Sequence, residues 1–406
     1  MKKVLPILLV VAILIVTLVS CEYEITIHEK TTTKTTTTKT TTTTTTITTT
    51  TPPTITTTTT TNQENPNDPN EDVEESLSFM LNSDGQSYSV IGRGTCKGTD
   101  IVIPSSHNGL PVTSIGDDAF FGGVSITSIE IPDSVTNISE HAFAGCASLT
   151  SIEIPDSVTS IGDGAFTDCR SLTSIVIPDS VTSIGYNTFN SCISLINVVI
   201  PNSVSSIGEQ AFAYCGALTS IEIPKSVTSI GEKAFYNCYL LIEVINKSSL
   251  NIVAGSSNYG YVGYYAKHVI TDESQSAIKK LGDYIFYDDG TDIYLVKYIG
   301  SDLEITLPEY DGGKEYGIWS YAFAGCYSLN SVTIPSSVTS IGDMAFYLCI
   351  SLTSVVIPDS VTSIGAMTFQ MCMSLTICCE AESQPSGWSS YWNSSNCPVV
   401  WGYTGE

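Results

Sequence analysis

"IPDSVTSIGDGAFTDC" occupies Ile154 to Cys169, and close variants begin at Ile177, Ile200, Ile223, Ile334 and Ile357. Pro132, Pro155, Pro178, Pro201 and Pro224 fall 23 residues apart, as do Cys146, Cys169, Cys192, Cys215 and Cys238, and later Cys326, Cys349 and Cys372. A fixed period of this length marks a solenoid, in which each repeat is one coil that buries its apolar face only against its neighbours. The sequence therefore predicts a β-rich solenoid with coils of 23 residues.

Within one coil, Leu149-Thr-Ser-Ile152-Glu-Ile154 has the L-x-x-L-x-L pattern of a leucine-rich repeat strand. Alternation points Ile152 and Ile154 inward and Glu153 outward. Pro155-Asp156-Ser157 turns the chain, and Val158 to Ile161 forms a second extended piece. Gly162 breaks it before Ala165, Phe166 and Cys169 pack back inside as a tight turn or short helix. The expected core is then Phe143, Phe166, Phe189, Phe212, Phe235 and Phe346 with Cys146, Cys169, Cys192, Cys215, Cys238 and Cys349. The phrase "SLTSIEIPDSVTSIGDGAFTDC" (Ser148 to Cys169) resembles the BspA-like, treponemal-type leucine-rich repeat, and the resemblance runs through nearly everything after about residue 79. It implies a surface or secreted protein similar to adhesins that bind host matrix proteins or other cells, and it carries no catalytic residues.

The bulk numbers agree with an exported binding protein. Of 406 residues, 42% are hydrophobic and 14% charged, enough to bury a core over much of the length. Sixteen Lys+Arg against 41 Asp+Glu give a formal charge of −25, which repels phosphate backbones and excludes nucleic acid as the expected partner. Only four histidines, His28, His107, His141 and His268, titrate near neutrality, and they lie at unrelated places. Lys2 and Lys3 precede an apolar run from Val4 to Val19, the pattern of a secretory signal over residues 1–20. Leu18-Val19-Ser20-Cys21 resembles the lipobox of bacterial lipoproteins, which implies cleavage before Cys21, lipid on that cysteine and attachment to the outer face of the cell membrane; an uncleaved anchor helix is the alternative. Residues 21–76 are dominated by threonine from Thr31 to Thr61 and then by Asn, Asp, Pro and Glu, so no core can form there. As a flexible stalk this segment would span on the order of 40 Å, either plain or glycosylated.

The period fails between Cys238 and Cys326, 88 residues apart instead of 92. Two arrays are therefore expected, at 77–270 and 284–406, with a polar and potentially helical linker at 271–283. Each opens with a hairpin cap: Asp84-Gly85 corresponds to Asp289-Gly290, Pro104 to Pro308 and Phe120 to Phe323. A Tyr-rich piece, Asn258 to Tyr265, closes the first array, and Trp388, Trp392 and Trp401 close the second. One continuous superhelix with an insertion remains the other architecture.

Cysteines at one coil position would form a ladder rising roughly 5 Å per coil, with side-chain vectors that do not suit a bridge. They read as small buried hydrophobes. A bridge from Cys397 to Cys378 or Cys379 stays open. No C-x-x-C pair, H-E-x-x-H, G-x-S-x-G, Walker or dinucleotide motif occurs, so no metal, cofactor or catalytic residue is expected. "GRGTCKG" from Gly92 and "YDDGTD" from Tyr287 read as turns. What varies between coils is the outward strand position, Val102, Glu130, Glu153, Val176, Val199 and Glu222, and a set of tyrosines, Tyr186, Tyr214, Tyr236 and Tyr347. These residues are the candidate surface for an extracellular protein or glycan, tyrosine offering contact area and a polar tip at low entropy cost. The runner-up is an envelope-organising scaffold without a host ligand.

Overall fold

The computed structural model describes residues 76–405; the signal segment, Cys21 and the stalk up to residue 75 lie outside the described residues. Short strands stack coil upon coil in parallel. Ser174–Val176 pairs with Asn197–Val199, matching Ile175 to Val198, and on the other side of the coil Ser183–Ile184 pairs with Ser206–Ile207. Both registers are offset by one 23-residue repeat, so equivalent coil positions meet. Proline and glycine punctuate each coil and, beyond the longer strands of the entry caps, keep the strands to two to four residues. The glycine at the second corner is sterically required: a Cβ on Gly208 would stand 2.5 Å from the Gly185 carbonyl, and one on Gly231 2.4 Å from the Glu209 nitrogen.

The segment carrying the Phe and Cys landmarks is a run of turns and contains no helix. Two of its columns hold left-handed backbone in coil after coil: Asp118, His141, Asn187, Gln210 and Lys233 in one, and Gly122, Gly145, Asp168, Ser191, Tyr214 and Asn237 in the other. A positive φ at such short intervals cannot belong to a right-handed helix. The turns deliver every expected core residue to the interior. Phe143, Phe166, Phe189, Phe212, Phe235 and Phe346 are fully buried. Phe120 to Phe235 stack with centroids 5.2–5.5 Å apart and planes within 18°. Tyr298, Phe323, Phe346, Phe369 and Trp392 continue the same idea in the second array, the last contact being edge-on.

The buried thiols are more than filler. Cys146, Cys169, Cys192, Cys215 and Cys238 each donate S–H to the carbonyl of the phenylalanine one coil back, at 3.1–3.3 Å. Cys349 and Cys372 do the same to Phe323 and Phe346. Each of these carbonyls already accepts a backbone N–H three residues on, as Phe143 does from Cys146, so the thiol adds a second, weak bond that ties one coil to the next, which alanine could not supply. All twelve described cysteines are free, including Cys378, Cys379 and Cys397, whose Sγ donates to the Cys372 carbonyl at 3.4 Å.

The hairpin caps are present. Ser78–Leu81 pairs antiparallel with Tyr88–Gly92 around Gly85 (φ +68°), and Tyr284–Asp288 with Ile293–Tyr298 around Gly290 (φ +86°). Both glycines supply the left-handed turn residue that L side chains resist. Residues 271–283 differ from expectation. Only Glu273–Gln275 makes a 3-10 turn, and Ile278–Leu281 is a strand paired antiparallel with Tyr284–Asp288. Ile278 and Leu281 stand three apart, a spacing that reads as helix and shows no strand alternation, yet this piece is a strand of the second cap.

A second difference lies in the coil quoted at the outset. Ile152–Ile154 was expected to be a strand, yet it pairs with neither Ser128–Glu130 nor Ser174–Val176. The residues still point as expected, Ile152 and Ile154 buried and Glu153 exposed. Beneath them lie two large cores, one from Val90 to Ala266 and one from Phe286 to Cys397. A small third cluster of Leu240, Ile242, Ala277, Tyr287 and Val296 joins them.

Candidate functional site

Alternation along each short strand leaves one side chain per coil facing solvent, and these form a ribbon. Val102 and Val176 are 63% and 62% exposed and Val199 47%, with Val176 and Val199 in register on adjacent strands. Glu130 and Glu153 are exposed, whereas Glu222 is half-buried and paired with Lys247 at 2.8 Å. Where the strand at Ile152–Ile154 is missing, an open cavity of about 370 Å³ is lined by Asp133, Glu153, Ile154, Pro155, Asp156 and Ser157. Three carboxylates, Asp133, Glu153 and Asp156, border it.

The tyrosines divide into two kinds. Tyr186 is 45% exposed, with its N–H held by Asp163 Oδ1 at 2.7 Å. Tyr214 and Tyr236 are half-buried and meet edge-to-face at 5.7 Å, a chain that runs on through Tyr261, Tyr264 and Tyr265. Burial raises the phenols of Tyr214 and Tyr347 above their usual value. The structure thus gathers Tyr214 and Tyr236 at the end of the first array and leaves Tyr186 and Tyr347 outside that ring chain. Sequence reading treated all four alike because column position alone does not reveal what covers a column.

Thiol chemistry is suppressed along the ladder of the first array. Burial pushes Cys146 up to about 11, and burial raises Cys169, Cys192, Cys215 and Cys238 as well. A thiol so shifted is neither a nucleophile nor a metal ligand near neutrality. Among the described residues no group of three or more His, Cys, Asp or Glu could hold a metal ion.

Sequence reasoning missed the residues where the two arrays meet. Glu243, fully buried, accepts from Ser276 Oγ and from the Ala277 N–H, each at 2.7 Å. Lys267 pairs with Asp292 and lies 4.6 Å from the Tyr294 ring centroid, with Tyr287 and Trp319 also within reach. Tyr239 packs on Tyr321 at 4.2 Å. The signal was present in the letters. Ile242 and Glu243 occupy the slots that read Thr150-Ser151 in the quoted coil, and an outward slot that turns apolar announces a cover.

The family model described as the BspA type leucine rich repeat region matches residues 113–242 and 316–395 in six copies, which is over half of the chain. No curated protein matches the chain. Among solved structures, a leucine rich cell surface protein from Faecalibacterium prausnitzii is 28% identical and covers 80% of this chain and 93% of its own, with a TM-score of 0.35. A leucine-rich repeat protein from Bacteroides ovatus is 22% identical over 80% of this chain and 98% of its own, with a TM-score of 0.34. A leucine rich repeat protein from T. pallidum is 22% identical over 74% and 87%, with a TM-score of 0.30. On the repeats and the family match together, this chain belongs to the BspA-type leucine-rich repeat family.

Proposed function

We propose that this protein is anchored by lipid at Cys21 to the outer face of the cell, raised on its threonine-rich segment, and binds an extracellular protein or glycan through its arrays. The observation that carries the reading is the contrast between frame and surface. The positions of Phe166 and Cys169 hold Phe and Cys in coil after coil from Phe143 and Cys146 on, while the outward position reads Val102, Glu130, Glu153, Val176, Val199 and Glu222 in succession. A ribbon of carboxylates and valines on a rigid frame suits many weak contacts that add along one partner, and surface density adds avidity. Lipid attachment rests on Leu18-Val19-Ser20-Cys21. The test is a binding screen of the soluble protein against a panel of purified matrix proteins and glycans. Saturable capture of at least one panel member supports the reading, and a panel that stays empty while the protein self-associates favours the scaffold instead.

A further inference from the structure

The two entry caps are homologous hairpins with one difference. In the second, the outer edge of Tyr284–Asp288 is covered by Ile278–Leu281, an antiparallel strand reading Ile-Lys-Lys-Leu. In the first, Ser78–Leu81 is the equivalent strand, and among the described residues nothing pairs with its outer edge. Asn82 N–H donates to the Ser87 carbonyl at 2.8 Å. By the alternation of an antiparallel ladder, Met80 then bonds inward to Ser89, while Phe79 and Leu81 present their N–H and C=O groups at the bare edge. Beside that edge the cap also exposes Met80 (54%) and Leu81 (48%).

We propose that the outer edge of Ser78–Leu81 is a docking site for an extended, basic strand of a partner protein, added antiparallel as Ile278–Leu281 is added to the second cap. The occupant's chemistry follows from the covering strand the molecule itself carries: two apolar ends bracket Lys279 and Lys280, both exposed. Charge points the same way, because a chain at −25 attracts a cationic segment and repels an acidic one. Main-chain bonds to the edge supply affinity, and the lysines supply selectivity. A second copy of this chain would bring the same negative charge to the edge and is disfavoured. The partner class rests on the binding role proposed above but uses the cap instead of the ribbon.

The test is fluorescence anisotropy of a labelled peptide, Ser-Ala-Ile-Lys-Lys-Leu-Gly, which copies residues 276–282, against the full soluble chain. Saturable binding is expected, weakened at least about tenfold by Leu81→Pro, which deletes an edge donor that no bond inside the fold uses. The melting temperature of that variant controls for folding. Independently of any variant, two peptides N-methylated at alternate residues, Ile278 with Lys280 or Lys279 with Leu281, should differ, one losing binding and the other keeping it. Lys279→Glu with Lys280→Glu in the peptide should also weaken it at least about tenfold. Equal binding by both methylated peptides, undiminished binding to a folded Leu81→Pro chain, indifference to the lysines, or no saturation by about 1 mM would each overturn the proposal. Capture of matrix proteins or glycans without peptide binding sinks the edge alone, and peptide binding with an empty panel sinks the ribbon alone.

Discussion

The two arrays use one repeat but hold it differently. In the second, five parallel strands from Glu304–Thr306 to Val399–Trp401 form an unbroken sheet, and six strands from Ile278–Leu281 to Ser363–Ile364, the first three antiparallel and the rest parallel, form another. In the first, the equivalent sheets fall into pieces, with Ile152–Ile154 unpaired and Ser160–Ile161 not bonded to Ser183–Ile184. Gly208 donates to Ile184 at 2.8 Å and Gly365 to Ile341 at 2.8 Å, but no corresponding bond links Gly185 to Ile161. The phenylalanine stack and the thiol ladder run through the gap without interruption. The side-chain ladder is therefore the constant of this solenoid, and the strand pairing is an addition that one array completes and the other does not.

The most damaging way to probe that contrast is to remove a rung from the stack. Phe166→Ala and Phe346→Ala should each cost about 3–5 kcal/mol in denaturant unfolding, as large buried aromatics do when truncated. Because Phe166 spans the gap, its loss should also split the transition, while the Phe346 variant stays cooperative. Next in size is the joint. Glu243→Ala leaves the Ser276 hydroxyl and Ala277 N–H without their acceptor, a loss of about 1–3 kcal/mol expected in thermal unfolding. If the melt is unmoved, Glu243 does not hold the second cap.

Native-state hydrogen exchange sharpens the comparison without a variant. The Gly185 amide and those of Ile152–Ile154 should exchange at least about tenfold faster than Gly208 and the amides of Ser354–Ile357. Uniform protection would mean the gap does not exist in solution.

Smallest is the effect of pH. Folded Cys146 is raised to about 11, so the stability it contributes is full below the unfolded thiol value of about 8.5 and fades as pH climbs from there through 11. Asp289 runs the other way. Hydrogen bonds from the Asp292 backbone and the Tyr287 hydroxyl hold it down to about 2, so its contribution is present above the unfolded carboxylate value of about 3.9 and is lost progressively as pH falls from there through 2. A pH series of melts should show a slow alkaline decline from the first array and, at the Asp289 hairpin, a loss that sets in only as pH falls below the unfolded carboxylate value of about 3.9.

Much of this was legible in the letters. The interval of 23 located the stacked phenylalanines from Phe143 to Phe235 and Phe346, and the thiols from Cys146 to Cys238 and Cys349, because a coil that repeats must place equivalent side chains at equal depth. Asp84-Gly85 and Asp289-Gly290 located both hairpins. The gap was not legible, since Ser171 to Ile177 and Ser148 to Ile154 differ by one letter, Val176 for Glu153, and only the former pairs. A parallel rung of three residues holds so few bonds that its neighbours decide whether it forms. The joint escaped because Ile242 and Glu243 keep their coil's register, and register alone hides their departure from Thr-Ser. The half-burial of Tyr214 and Tyr236 depends on packing among tyrosines, several of them in the irregular closing segment, which no period describes.

The claim underneath all of this is that the frame is fixed and the outward letters are free to specify a partner. Exchanging those letters between coils tests it most directly: Glu153→Val together with Val176→Glu, assayed for unfolding and for capture of whichever matrix protein or glycan the wild type binds. The account predicts stability unchanged within about 0.5 kcal/mol and affinity altered at least about tenfold. A large loss of stability, or capture indifferent to the exchange, would contradict it.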